Sequence, residues 1–300
     1  MNSYNNIIYR TQSQYNKLPE FIIEKIFSNL QGKDLNNCTL VCKKWYEVLQ
    51  NEAFWRKKCV RDRRLTSQHI TLFQKYELYE SKRLYYSNMF NKNLLKNPCG
   101  NENFDHWFNP GFLNFTNVNV DRLKNIIVNH KKTPYRAPEP RDFRVETDNH
   151  GVEAFYDKNN NKIRNFATSF CFGGKMQIIE LKTEYKLVEK LINKGMSVFL
   201  EISDNYIGKF GWGSFYSLHV FLFTDNFEMV DSYSINNEYL HASESNWQRA
   251  YHHFNLKKPI RYVMFFHGGQ AAWTNLDYDP QLWSQFYGAK MTNACVRFFV

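Results

Sequence analysis

No apolar run in this chain approaches the roughly 20 residues a helix needs to cross a bilayer. Residues 1–14 are polar and rich in Asn and Tyr, without the apolar core of a secretory signal. The expected compartment is therefore the cytoplasm, with no membrane insertion. Cysteine is sparse: Cys38, Cys42, Cys59, Cys99, Cys171 and Cys295 are scattered without C-x-x-C pairing. That spacing excludes a disulfide framework or a zinc ribbon, and the thiols read as small buried hydrophobes. Catalytic signatures are missing as well. Gly211-Trp212-Gly213 does not complete a nucleotide loop, no Ser sits in G-x-S-x-G, and His252-His253 lacks a His-Glu-x-x-His context. His267-Gly268-Gly269-Gln270 reads as a tight turn after a strand. The expectation is a chain with no catalytic residue, no metal ligand and no cofactor.

What is present is size, aromatic content and an uneven charge. Three hundred residues suffice for one large or two medium domains. Aromatics make up 17% of the chain, led by 26 Phe and 19 Tyr, which favours pleated, half-buried surfaces. Residues 1–100 hold 17 Lys/Arg against 8 Asp/Glu, whereas residues 201–300 hold 7 against 9. The basic excess concentrates in Arg56-Lys57-Lys58 and in Arg61, Arg63 and Arg64. Nucleic-acid binding would interleave it with aromatics, but the aromatic-rich C-terminal part is slightly acidic. A solvated basic helix end or an acidic protein partner remains.

Along the chain, Leu18 to about Cys59 reads as short helices. Pro19 suits a first helical position. Ile22, Ile26 and Leu30, with Ile23 and Phe27 beside them, form an apolar stripe wider than a small core needs. Gly32 is placed to end this helix and Asp34 to cap the next, which presents Leu35, Cys38, Val41 and Cys42. Trp45, Val48, Leu49, Phe54 and Trp55 continue the pattern. About forty residues rarely supply a full core alone, so part of this apolar surface should meet a partner. Residues 65–93, free of Gly and Pro, predict a connecting helix acting as a stiff spacer. Asn97-Pro98-Cys99-Gly100 is turn chemistry that opens a second unit. Residues 109–162 predict long loops, with one helix over 120–129. Beyond Gly174, strand signals at 176–181, 196–202, 216–224, 260–266 and 295–300, with a helix over 185–194 and no βα alternation, predict an antiparallel sandwich.

The pattern Leu18-Pro19, Ile22, Ile26-Phe27, Leu30, Leu35, Val41-Cys42-x-x-Trp45 and Phe54-Trp55 resembles the F-box. Four later blocks resemble the F-box-associated domain of the sugar-recognising F-box family. They are the segment 93–100, Phe166-Ala167-Thr168-Ser169-Phe170, Phe266-His267-Gly268-Gly269-Gln270 and the segment 286–293. The resemblance implies an α+β multidomain chain: an N-terminal all-α F-box, a helical linker and a C-terminal antiparallel β-sandwich of galactose-binding-like type. The boundaries expected are a disordered 1–14, an F-box over 15–60, a linker over 61–93 and a sandwich over 94–300. It also implies a non-catalytic substrate-recognition subunit of a ubiquitin ligase. Leu18, Pro19, Ile22, Ile26, Leu30, Val41 and Trp45 would dock on a Skp-type adaptor, and through it on a cullin scaffold.

In sugar-binding members of that family, rings on loops at one end of the sandwich stack on an N-glycan. Aligned on Phe286-Tyr287-Gly288, this chain keeps the stacking ring as Trp283. It carries Leu282 where the family has Tyr, Ser284 where it has Lys or Ala, and Gln285 where it has Gly. The preceding loop is longer and brings Trp273 and Tyr278, and Phe170 matches a ring lining the site. Three alternatives stay open: a receptor for high-mannose N-glycoproteins, a receptor for a protein surface, and a lectin-like or enzymatic protein outside any ligase.

Overall fold

The computed structural model describes residues 18–110, 119–130, 143–147, 152–157, 159–209, 211, 213–241, 243, 246–272 and 286–300. The chain divides into two compact units, Met1–Asn91 and Lys92–Val300. Among the described residues no helix is long and apolar enough to cross a membrane.

The first unit is helical: α1 (Glu20–Asn29), α2 (Gly32–Cys38), α3 (Lys43–Val48), α4 (Glu52–Arg61), α5 (Ser67–Lys75) and α6 (Ser81–Ser87). Pro19 is the cap just before α1, and its carbonyl accepts from the amides of Ile22 and Ile23. Ile23 and Phe27 form the buried face of α1, and Leu35, Val48, Leu49, Phe54 and Trp55 are buried in the same unit. Phe27 sits edge-on to Trp45 at 5.1 Å and to Phe54 at 6.3 Å. Each fully buried ring of this kind contributes about 1.5–3 kcal/mol from apolar burial. Two expectations are corrected here. Gly32 opens α2 instead of closing α1, which ends where Leu30 turns extended, and Asp34 lies inside α2 while Gln31 holds the cap position. The single helix expected over 65–93 is two. Thr66 and His69 form a capping box that starts α5, and Glu77 takes a left-handed conformation between the helices. α6 then packs on α4, with Tyr85 5.3 Å from Trp55.

The second unit is α7 (Val120–Asn129), β1 (Phe143–Glu146), β2 (Asn165–Thr168), β3 (Gly173–Glu180), α8 (Thr183–Asn193), β4 (Val198–Ile207), β5 (Ser214–Phe223), β6 (Met229–Leu240), β7 (Gln248–Leu256), β8 (Tyr262–Ala271) and β9 (Lys290–Phe299). Among the described residues all pairings are antiparallel, in a five-stranded sheet β1-β2-β9-β4-β7 and a four-stranded sheet β3-β8-β5-β6. The two sheets face each other. Tyr206 of β4 stacks on Tyr216 of β5 at 3.9 Å, and Asp204 of β4 bonds His267 of β8. On the far face of the four-stranded sheet, Met264 and Phe266 of β8 join Phe221 and Phe223 of β5 under Leu123 and Ile127 of α7. Strand alternation thus buries β8 on both faces. Its apolar run follows from this.

Gly268 and Gly269 are not a turn, as the sequence predicts, but the interior of β8. A Cβ on Gly268 would strike the Gly173 carbonyl, and one on Gly269 the Phe215 carbonyl. Glycine is there because neighbouring backbones approach too closely for any side chain. Part of the 109–162 segment is also regular: besides α7 it holds β1, and Asp157 closes a tight turn by accepting from the amides of Asn159 and Asn161 at 2.8 Å.

The six cysteines are free thiols. Cys38, Cys59 and Cys99 are buried, Cys42 and Cys295 half-buried, and Cys171 exposed. Burial pushes the Cys59 thiol up to about 12, so it packs without reactive thiolate.

Candidate functional site

The apolar stripe of α1 splits between inside and outside. Ile23 and Phe27 are buried, while Ile22 and Leu30 are half-buried and Pro19 is exposed. Ile26 keeps 40% of its surface and Val41 46%, beside Leu40 at 77%. Leu18 is half-buried and its carbonyl accepts from Lys44. Trp45 is half-buried, its indole against Phe27. The seven residues expected to dock thus include exposed aliphatic surface next to a packed core, which is the arrangement an interface anchor needs.

At one end of the sandwich the β2–β3 turn, the end of β8 and the approach to β9 are tied together. The Ala271 amide donates to the Ser169 carbonyl at 2.9 Å, and the Gly288 amide to the Thr168 carbonyl at 2.9 Å. Phe170, the ring expected to line the site, is half-buried there and lies 5.4 Å from Tyr287. Phe172, two residues on, is more exposed and stacks on Phe266. Phe286 and Tyr287 are themselves buried and form the floor. Cations cover their faces: the Lys209 ammonium lies 3.6 Å from the Tyr287 ring centre, and the Arg144 guanidinium 4.6 Å from that of Phe286. Burial, then repulsion from Lys290, lowers the Lys209 pKa. Lys290 is buried against Glu146, which also accepts from Arg144 at 2.8 Å. Leu282, Trp283, Ser284, Gln285, Trp273 and Tyr278 lie outside the described residues. This end therefore combines the half-buried Phe170 ring with the Lys209 and Arg144 cations that lie over the buried Tyr287 and Phe286, groups of the kind that meet a ligand with an apolar face and acceptor groups.

The sequence reading missed Lys209 and Arg144, and no local pattern marks them. Both become neighbours of Phe286 and Tyr287 only through strand pairing. It also missed a polar chain in the core. His267 Nδ1 donates to Asp204 Oδ2 at 2.6 Å, and the Tyr216 hydroxyl donates to the same oxygen at 2.8 Å. Lys175 bonds His267 Nε2 and lies 3.4 Å from the Trp107 ring centre. Burial, then Lys175, pushes the His267 pKa down to about 4, against the pull of Asp204. Burial likewise drives Lys175 well below its ordinary value. These groups are sealed from solvent, so they join the sheets and meet no substrate.

Comparison with known proteins matches the same two units. The F-box associated region family covers residues 85–298, and the F-box-like family covers residues 15–61. F-box only protein 44 of Homo sapiens is 24% identical over 284 residues, spanning 94% of this chain and 95% of that protein. F-box only protein 2 of Bos taurus is 26% identical over 285 residues, spanning 93% of this chain and 82% of that protein. Among solved structures, the module TmCBM61 in complex with beta-1,4-galactotriose aligns with 70% of this chain and 99% of its own, with a TM-score of 0.35 and 12% identity. The chain belongs to the F-box associated family and carries an F-box-like segment before its antiparallel β-sandwich.

Proposed function

We propose that this chain is the target-recognition subunit of a Skp–cullin–F-box ubiquitin ligase, working in the cytoplasm and performing no chemistry itself. The observation that carries this is the union, in one chain, of an F-box-like unit with exposed aliphatic anchors and a β-sandwich with an aromatic, cation-flanked end. In this reading residues 15–60 dock on a Skp-type adaptor, residues 61–93 connect, and residues 94–300 capture the target. The contribution is proximity: a held target presents its lysines to the ubiquitin-charged enzyme at high effective concentration.

The docking half is tested with Leu18→Ala combined with Pro19→Ala. Both residues lie at or near the surface, so the unit should fold. Co-purification with the Skp-type adaptor should vanish while the circular dichroism spectrum is kept. Undiminished co-purification would reject the docking assignment and favour a lectin-like or enzymatic protein outside any ligase.

For the target, two classes are separated by one titration. An N-glycan reading rests on Phe170 and the retained Trp283. A protein-surface reading rests on the loss of the family Tyr at Leu282, on Ser284, and on the burial of Phe286 and Tyr287 beneath Arg144 and Lys209. A lost stacking ring costs about 0.5–1.5 kcal/mol beyond its area, and a lost hydroxyl contact a similar amount. Tryptophan fluorescence with a chitobiose-cored high-mannose glycan should saturate, and weaken at least tenfold in Trp283→Ala and in Phe170→Ala, if glycan is the target. No response at millimolar sugar assigns the end to a protein surface.

A further inference from the structure

The basic cluster around Lys58, Arg61 and Arg64 is not among the residues assigned to docking or to the sandwich end. Four of its cations, Lys33, Lys58, Arg61 and Arg64, line one cleft of about 610 Å³ within the N-terminal unit, with Asp62 the single carboxylate beside them. They come from three places in the sequence: the first turn of α2, the last turn of α4, and the turn that follows it.

Their partners distinguish them. Lys58 is committed to the fold. It is buried, donates to the Ser28 and Leu30 carbonyls at 2.9 and 2.8 Å, and pairs with Asp62 at 2.8 Å. Lys58 thus caps the end of α1 and is the ion-pair partner of the one carboxylate, which also accepts from the Tyr85 hydroxyl at 2.7 Å. Arg61 is held by neutral groups, Ser28 Oγ and Asn29 Oδ1. Arg64 is positioned by an aromatic face, its guanidinium 5.6 Å from the Tyr85 ring centre, a ring that also carries the Lys58 ammonium at 5.8 Å. Lys33 is exposed. Among the described residues no carboxylate forms an ion pair with Lys33, Arg61 or Arg64. Three cations therefore face one cleft with no ion pair of their own among the described residues, Asp62 acting on Arg61 only at longer range, and two of the three are guanidiniums held by neutral groups.

We propose that this cleft binds a phosphate-bearing small molecule with two or more phosphate groups. A carboxylate would offset only one of the three charges, whereas a diphosphate carries about three. The planar fork of arginine donates two parallel N–H bonds to phosphate oxygens, and lysine supplies a mobile point charge. The volume admits an organic body beside the phosphates, against the Tyr85 and Tyr86 rings. Phosphate of the same chemistry on a phosphorylated side chain of a partner would meet the same groups, and the test separates the two sources. The proposal stands on the cleft alone and not on the ligase assignment.

The test is isothermal titration of the purified full chain with inorganic pyrophosphate and, separately, with a phosphoserine peptide. Variants are Lys33→Glu, at an exposed position with no described ion pair, and Arg64→Gln. One-to-one saturable binding of pyrophosphate is expected. It should weaken at least tenfold in each variant, with the melting temperature of Lys33→Glu unchanged. Saturable binding of the peptide with no response to pyrophosphate would overturn the small-molecule source. No saturation by millimolar pyrophosphate at low ionic strength, or equal binding in wild type and Lys33→Glu, would overturn the site. Loss of pyrophosphate binding when the Skp-type adaptor is bound would reassign the cleft to an adaptor contact.

Discussion

Asp204 accepts from His267 and from Tyr216 on one carboxylate oxygen, and Lys175 completes the chain at the other imidazole nitrogen. In an open cleft, such a set would invite a catalytic interpretation. Here burial sets the protonation states instead. His267 and His219 are both held near 4 by desolvation, compared with an ordinary value of about 6.5. The consequence for stability has a definite sign. Above about pH 6.5 both histidines are neutral in the folded and unfolded chains, and their contribution is complete. As pH falls from there towards 4, the unfolded chain takes up protons that the fold refuses, so stability is lost. At pH 5 the loss is on the order of 2 kcal/mol per histidine. Urea unfolding at pH 7, 6 and 5 should give falling midpoints, and His219→Phe should roughly halve the drop. A midpoint constant from pH 7 to 5 would show that these imidazoles are solvated.

At the scale of elements, the strands and helices legible in the sequence are those whose pattern depends on one surface. α7 begins and ends where the sequence places it, because Asn119 caps it by accepting from the Arg122 amide and its apolar residues recur on one face. β5, β8 and the last part of β9 announce themselves as apolar runs because they are covered on both faces or paired on both edges. β6 does not. It is an edge strand with Asp231, Ser232, Ser234, Asn236, Asn237 and Glu238 along it, and a strand with open faces needs little apolar residue. β1 and β2 are four residues each, too short for any period to register. The glycines of β8 mislead for a related reason. Gly-Gly ordinarily marks a turn, and only the close approach of Gly173 and Phe215 on the flanking strands, far away in the sequence, reveals a packing requirement. The apolar stripe of α1 is legible because helical spacing is local. Lys209 and Arg144 at the sandwich end were not, because each reaches its ring across a strand pairing that no short window contains.

For the whole molecule, the division into Met1–Asn91 and Lys92–Val300 separates two cores with different chemistry. The first is a small aromatic cluster around Phe27, Phe54 and Trp55. The second is a sandwich with buried ionisable groups at its centre. A receptor that holds an adaptor with one unit and a target with the other gains if each can be strained or released without unfolding its neighbour. Calorimetry should then resolve two transitions. Acidification from pH 7 to 5.5 should lower the sandwich transition more, because His219 and His267 belong to it, whereas the helical unit contributes only the half-buried His69, whose pKa burial lowers. Phe27→Ala should do the reverse. Emptying that site costs about 3–5 kcal/mol, and in a unit of this size each kcal/mol shifts the midpoint by roughly 4–8 °C. The acid-sensitive transition should stay in place. A single transition that moves as one under both acid and Phe27→Ala would mean that the two cores unfold together, and the receptor would then have to be treated as one cooperative body.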